Sequence, residues 1–289
     1  MNDIVKEESM ESLWNMWFTE LHHQRVGLSL KVSRVLYSEY SDFQRIDVID
    51  TEQFGRALVL YGSIMITEKD EFVYHEMLSH VPLHVHPKPE KVLIIGGGDG
   101  GALREVTKHD GVQQATMVEI DKQVVEVCKQ YFPKVGGFDH PKSRVVIDDG
   151  AAFVANTDEK FDVILADTSD PIGPAEVLFQ KPFYQSVYDC LNDDGIFVPQ
   201  SESPLYHQDS VTKIYRNLKS VFPIVRMYLA HIPTYPSALW SFAFCSKKYD
   251  PLEDFYPGRV VDMGFNYYNA DIHCACFALP GYVKELVSS

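Results

Sequence analysis

The chain has 289 residues, 45% hydrophobic and 23% charged, an ordinary balance for a folded protein that excludes wholesale disorder. Its formal net charge of −15 opposes a surface that tracks nucleic-acid phosphates, and no apolar run reaches the roughly 18 residues needed to cross a bilayer, so neither nucleic acid nor membrane is expected as a partner. The same acidity attracts cations and weakly favours a cationic small substrate.

The opening stretch MNDIVKEESM is acidic and lacks a basic region followed by an apolar core, so a cytoplasmic protein is expected. From about residue 27 to 69 the chain reads as strand after strand. LSLKVSRVLYSEYS alternates Leu28, Leu30 and Val32 with polar neighbours, and FQRIDVID, RALVLYG and SIMITEK follow at hairpin intervals. DEFVYHEMLSHVPLHVH reads as a helix with Phe72, Met77 and Leu78 on one side, ending near Pro82. Beyond HPKPE the pattern changes: KVLIIGGG, QATMVEID, SRVVIDDG, FDVILAD and DGIFVPQ are short apolar runs separated by helical stretches such as GALREVTKH and KQVVEVCKQYF. Alternating strands and helices with near-continuous apolar strands predict a doubly wound parallel sheet covered on both faces. The fold class is therefore α/β, with a small N-terminal antiparallel β domain at 1–78 and a Rossmann-like domain at 79–289. Five scattered cysteines (Cys128, Cys190, Cys245, Cys274, Cys276) fit free thiols in a reducing compartment. HCAC, with His273 beside two of them, lacks the wider spacing and second ligand pair of zinc sites, so no metal is expected there.

In doubly wound sheets, ligands bind outside the carboxyl ends of the strands. IIGGGDGG follows one such strand and opens a helix, so Gly96, Gly98 and Gly101 match the G-x-G-x-x-G spacing; glycines there serve close packing as readily as a ligand. The next strand ends in Glu119, where an acid would receive the ribose hydroxyls of an adenosine. Asp149, in IDDGAAF, either accepts from an adenine amino group or caps the following helix. An acid inside the glycine loop, Asp99, would repel a pyrophosphate, which lowers a dinucleotide reading. LADTSDPIGPAEVLF adds Asp167 and Asp170 at the same edge. Ordinary S-adenosylmethionine carries a carboxylate on its tail, whereas its decarboxylated form is positive at both sulfonium and amine. Three carboxylates around that donor and a cationic diamine would be complementary in charge.

The stretches LIIGGGDGGALREV, MVEID, DDG, DTSDPIGPAEVLF, IPTYPS and YYNADIHCACFALP together resemble the polyamine aminopropyltransferases, in particular their spermidine synthase branch, from WFTE to FALP. The resemblance implies a class I methyltransferase-like fold and transfer of an aminopropyl group from decarboxylated S-adenosylmethionine to putrescine, giving spermidine and methylthioadenosine. It implies a catalytic group of Asp167, Asp170 and Tyr74, with Asp167 as proton acceptor. The cosubstrate would be held by Gln44, Asp99, Glu119, Asp149, Gly150 and Pro174. The amine would be held by Trp17, Tyr74, His75, Asp99, Asp167, Asp170, Gln200 and Tyr235. His75 has an alternative as a helix-surface histidine, and Trp17 as an apolar anchor. No metal or other cofactor is implied, the segment Asp170–Phe179 would order over substrate as a lid, and a homodimer or homotetramer is expected. Spermidine synthases commonly read LDGVxQ before TERDEF; here LYGSIMITEKDEF puts Tyr61 for the usual Asp and Met65 for the usual Gln. That departure leaves cadaverine, agmatine or spermidine open as acceptors. A small-molecule N-methyltransferase would share the nucleoside pocket, and a non-enzymatic binder is a third class. An extra acid, Glu202 in QSESPLY, has no place from sequence alone.

Overall fold

The computed structural model describes residues 15–22, 24–171, 173–260 and 263–288. The first sheet is an antiparallel meander of β1 (Met16–His22), β2 (Val26–Tyr40), β3 (Arg45–Thr51), β4 (Gly55–Leu60) and β5 (Ser63–Thr67), paired in chain order. Its alternation is that of a half-buried sheet: Leu30 and Val32 face Ile49, Ala57, Val59 and Ile64 in one small core. β4 and β5 are joined at Tyr61 (φ 53°) and Gly62 (φ 89°), the left-handed pair that matches the twist of a two-residue hairpin. β1 lies ahead of the stretch read as strands from the sequence.

Helix α1 (Glu71–Val85) is buried on nearly every side. It does not stop at Pro82, as the sequence reading expected, but continues to Val85. Pro82 removes one i→i−4 bond, a cost on the order of 3 kcal/mol. Burying Leu83 and Val85 in the main core offsets this, at about 1.5–3 kcal/mol per side chain. α1 crosses position 78, and its apolar residues from Val73 to Val85 pack with the second sheet.

That sheet is built from β6 (Lys91–Gly96), β7 (Gln114–Glu119), β8 (Ser143–Ile147), β9 (Phe161–Asp167), β10 (Leu191–Pro199), β11 (Ile224–His231) and β12 (Leu239–Ser246). The order is β11-β12-β10-β9-β6-β7-β8, with the five strands from β8 to β10 parallel and β12 antiparallel to both its neighbours. Val92 and Ile94 of β6 face one core, while Leu93 and Ile95 face another, so both sides of the strand are covered. Helices α1 and α2 (Gly101–Thr107) lie on the first side. α3 (Lys122–Tyr131) contributes Val125 to it and turns Val124, Val127 and Cys128 toward Ile46, Val48 and Leu58 of the small sheet. α4 (Gly150–Asn156), α5 (Lys181–Cys190) and α6 (Gln208–Lys219) cover the second side. α7 (Ala270–Cys276) joins the first core through Cys276, and α8 (Gly281–Ser288) joins the second through Val283. The doubly wound reading is borne out; β1, β11 and β12 were not read from the sequence.

One buried carboxylate holds the C-terminal segment to this body. Glu76 of α1 accepts backbone N–H groups from Asn266 (2.9 Å), Tyr267 (2.8 Å) and Tyr268 (2.8 Å). Truncation strands those donors, so Glu76→Ala is expected to lower unfolding free energy by roughly 3 kcal/mol. An unchanged urea midpoint and slope would show that water replaces the carboxylate without loss.

Candidate active site

The carboxyl ends of β6, β7 and β9 meet at the switch point of the sheet, where the chain, after running outward from β6 through β7 to β8, crosses back to β9 on the other side of β6. Two glycines there are fixed by close approach. Gly96 has φ +80°, and a Cβ on it would lie 2.2 Å from the Asp167 carbonyl oxygen of the adjacent strand. A Cβ on Gly101 would lie 2.2 Å from the His75 ring, so the third glycine of the loop admits a side chain of α1.

His75 is fully buried, not on a helix surface. Its Nδ1 lies 2.5 Å from Glu71 Oε2, and its Nε2 lies 3.2 Å from Asp99 Oδ1, too poorly aligned for a full hydrogen bond. Burial alone would lower its pKa, but the Asp99 and Glu71 carboxylates override that and hold it well above its ordinary value, so the ring is cationic at neutral pH. Glu71 in turn receives both terminal nitrogens of Arg104 at 2.9 Å. Asp99 accepts from Gly101 N at 2.6 Å, and although burial opposes ionisation, His75 and this N–H depress its pKa.

Asp167 completes the cluster: His75, Asp99 and Asp167 bring ligand atoms within 4.8 Å of one another. Burial, then the charge of Asp99, raises Asp167 to about 7, against the opposing effects of His75 and the Tyr74 hydroxyl. Asp170 is raised to about 6 by burial. Two acids outside the predicted set extend this negative zone. Glu20 of β1 accepts from Ile64 N at 3.0 Å and is raised to about 7 by burial and then by Asp170, with the Ile64 bond opposing. Glu202 is likewise raised to about 7 by burial, with Asp170 contributing. Its backbone is left-handed (φ 62°), a conformation held by Gln200 Oε1 on its N–H (2.9 Å) and by Ser241 N and Oγ on its carbonyl (3.1 and 2.7 Å).

The other predicted residues divide. Tyr74 and Tyr235 pack with ring centroids 5.7 Å apart, and the Tyr235 hydroxyl donates to the Met65 carbonyl at 2.6 Å. Tyr235 is placed by Asp70, which accepts from Thr67 Oγ1 and from Thr234 N and Oγ1 (2.6, 3.0 and 2.7 Å). Gln200 is buried and spends its amide on backbone, donating toward Thr168 O at 3.3 Å. It thus fixes the segment carrying Asp170. On the nucleoside side, Glu119 is raised to about 7, by burial first and then by Asp121 and Asp167, with its backbone bonds from Asp121 and Gly98 opposing. Gln44 Nε2 donates to Asp121 Oδ2 at 3.2 Å. Asp149 is exposed, and its Oδ1 accepts from Ala151 N and Ala152 N (2.8 and 3.3 Å), so the helix cap is the role the geometry displays. Gly150 lets α4 approach Ile95, which a Cβ would meet at 2.5 Å. Pro174 lies in the 3-10 turn Gly173–Phe179, but its side chain falls outside the described residues.

Trp17 stands apart from these acids. It is 55% exposed on β1, and strand alternation turns it away from the face that carries the buried Glu20. The within-strand offset from Trp17 to Glu20 is the signal that reading β1 would have supplied. Tyr61 also stands apart, 75% exposed at its hairpin. In HCAC, His273 uses both ring nitrogens, on Tyr268 Oη (2.8 Å) and the Pro251 carbonyl (2.9 Å).

Buried carboxylates thus gather at the switch point of the parallel sheet, the place where sheets of this class bind ligands. Family profiles agree. The spermine/spermidine synthase domain matches residues 71–257, and the spermidine synthase tetramerisation domain matches 16–68. The chain is 48% identical over 273 residues to the polyamine aminopropyltransferase of Caldicellulosiruptor bescii and 47% identical to that of Bacillus cytotoxicus, covering 94% of this chain and 98% and 99% of theirs. A spermidine synthase crystallised with the transition state analogue AdoDATO superposes with TM-score 0.93 at 45% identity, covering 97% of this chain and 99% of that one. The Thermotoga maritima spermidine synthase gives 0.91 at 44%, covering 98% and 99%. The chain belongs to the polyamine aminopropyltransferase family, and it is an enzyme of polyamine biosynthesis, as the sequence resemblance implied.

Glu202 permits a direct test of the electrostatics. Its folded pKa of about 7 lies above the ordinary value of 4.5, so the stability it contributes is full below 4.5 and is lost as pH rises through about 7. Glu202→Gln is therefore expected to stabilise the unliganded protein by roughly 1–3 kcal/mol at pH 8, a gain that vanishes toward pH 4.5. A pH-independent difference between the variants would reject a strained, buried charge at this position.

Proposed function

We propose that the enzyme transfers the aminopropyl group of decarboxylated S-adenosylmethionine to putrescine, releasing methylthioadenosine and forming spermidine. The observation that carries this reading is the run of acids Glu20, Asp170, Glu202, Asp167 and Asp99 around one buried zone. Asp99 would take the donor's amine, and Glu119 its ribose. Asp167 and Asp170 would take the reacting end of the diamine, and Glu20 with Glu202 the distal ammonium. A carboxylated donor would bring its own negative charge into this zone, which disfavours methyl transfer from ordinary S-adenosylmethionine. The related spermidine synthase bound to AdoDATO supports the same class of chemistry.

An alkylammonium has a pKa near 10 and cannot attack until it loses a proton. Asp167, raised toward neutrality, is matched to accept that proton at working pH, and the Tyr74 hydroxyl beside it orients the carboxylate. The freed nitrogen lone pair attacks the methylene next to sulfur. A carbon–nitrogen bond forms as the carbon–sulfur bond breaks, and its electron pair neutralises the sulfonium. The leaving group is already activated by its positive charge, so we assign no metal or cofactor to the step. The protein supplies alignment and a fixed field.

The match of 16–68 to a tetramerisation domain and the exposed apolar residues Leu21, Val26 and Val35 on the first sheet support assembly as a homo-oligomer, dimer or tetramer. Five unpaired cysteines support a reducing compartment such as the cytoplasm. Among the described residues no helix is long and apolar enough to cross a membrane.

The test is a mass-spectrometric assay with the decarboxylated donor and putrescine, cadaverine, agmatine or spermidine in parallel. Putrescine is expected to react fastest. Asp167→Asn is expected to lower kcat by about 10²- to 10⁴-fold while methylthioadenosine affinity stays within a few-fold. kcat/KM should rise with pH through about 7 as Asp167 ionises, and the limb of kcat should fall lower because bound cations favour the carboxylate. Near-normal turnover in Asp167→Asn rejects that role, and faster transfer to another amine rejects putrescine.

A further inference from the structure

On α1, one turn beyond the catalytic residues, a second cluster has no part in the chemistry above. His80 and His84 stand four residues apart on one helix face, and His109 follows the end of α2. All three are buried, and each offers a nitrogen such that these atoms lie within 4.8 Å of one another. His80 Nδ1 is 2.9 Å from His109 Nε2, and the three ring centroids are 4.9 to 6.0 Å apart. We propose that His80, His84 and His109 form a binding site for a borderline divalent transition-metal ion of the zinc type.

The hydrogen bonding around the cluster fixes the tautomers such a site needs. His80 Nε2 faces the Glu105 carboxylate at 2.9 Å and donates to it, which leaves Nδ1 with its lone pair toward the cluster. A carboxylate on the far nitrogen of an imidazole is the usual outer partner of a metal-bound histidine. Glu105 is itself held by Arg104 Nε and Lys108 Nζ, each at 2.6 Å, so this anchor is rigid. His84 Nδ1 donates to the His80 carbonyl at 2.9 Å, leaving Nε2 as the lone-pair atom. The proton shared between His109 and His80 is the one an ion would replace, with His109 carrying its proton on Nδ1 instead. Metal–nitrogen bonds of about 2.0–2.1 Å at tetrahedral angles separate ligand nitrogens by about 3.3 Å. The His80–His109 pair therefore needs to open by only a few tenths of an ångström.

The surroundings favour neutral ligands. Burial lowers the pKa of His80, that of His84 to about 4 and that of His109 to about 2, so the imidazoles present lone pairs rather than protons at neutral pH. Phe265 packs on His80 with centroids 4.2 Å apart, and Tyr268 stacks on His84 at 5.1 Å, forming an aromatic wall on one side. Three imidazoles with a fourth position for water suit zinc or cobalt better than calcium or magnesium, which prefer oxygen. The ion would tie α1 to the chain leaving α2, a structural clamp on the helix that carries Tyr74 and His75.

The test uses the untagged full-length protein after chelator treatment. It is expected to take up one equivalent of Co²⁺ with the intense visible absorption of a tetrahedral site, to lose that band to Zn²⁺, and to melt higher with either ion. His84→Phe keeps an aromatic ring against Tyr268 and should fold and transfer aminopropyl groups normally while losing the band and the thermal shift. His109→Asn repeats the test should the first variant fail to fold. Asp167→Asn should retain the band, because the ion does not sit in the catalytic cluster. No uptake by the wild-type protein, uptake that survives both histidine substitutions, or uptake abolished by Asp167→Asn would each overturn the proposal.

Discussion

Carboxylates held out of water beside one another are the constraint on which the rest of this structure depends. Asp99 and Asp167 bring ligand atoms within 4.8 Å of each other and of His75, and each ionised acid raises the cost of ionising the next. One buried cation settles which acid is charged. His75 sits between Glu71 and Asp99, Arg104 anchors Glu71, and Asp99 is held ionised while Asp167 is pushed toward neutral pH. Two acids of the same type thus acquire opposite electrostatic states, which under the proposed reaction suits one as a permanent counter-charge and the other as a proton acceptor. A glycine at 101 is the steric condition for this arrangement, since any side chain there would occupy the space of the His75 ring.

The fold was legible where periodicity is strong and local. β2 to β5 alternate clearly, and β6 to β10 are apolar runs bounded by glycine and helical stretches, so both architectures follow from pattern. β1 was lost because MWFTELH exposes Met16, Trp17 and Leu21 and buries an acid, so its alternation runs against polarity. β12 was lost for a different reason: LWSFAFCS is buried on both faces and carries no alternation to read. Pro82 shows tertiary packing overriding a local stop signal.

The site was legible in its motif residues and illegible in what supports them. Asp99, Glu119, Asp167 and Asp170 fall at strand ends, where topology makes an acid conspicuous. Glu71, Arg104 and Glu20 do not: their meaning comes from partners 33 residues or more distant in sequence for the Glu71–Arg104 pair and 44 for Glu20 with Ile64. Gln200 was read as touching substrate, yet its amide is committed to the backbone of Thr168 and Glu202, which makes it a residue that shapes the site through others. Tyr61 and Met65 look like one paired departure in sequence. In the fold they separate: Tyr61 points to solvent at a hairpin, and Met65 meets Tyr235 through its carbonyl, an interaction any side chain at 65 could supply.

This separation bears on how the family's scaffold can vary its acceptor. The distal end of the acidic zone is built by Glu20 from the N-terminal sheet and Glu202 from the loop after β10, two segments that do not carry the transfer chemistry. Both acids are raised by burial and by Asp170, so a second ammonium placed between them would relieve a strain built into the fold. Under the proposed reaction, amine length would be sensed where that relief is largest, while Asp99, Asp167 and Tyr74 would position the methylene under attack. Because β1 is an edge strand joined to the body through β2, a shift of one residue in its register would exchange Glu20 for a neighbour facing the other side of the sheet. Recognition can therefore change by the placement of a single strand while the reaction centre at the switch point of the large sheet stays fixed.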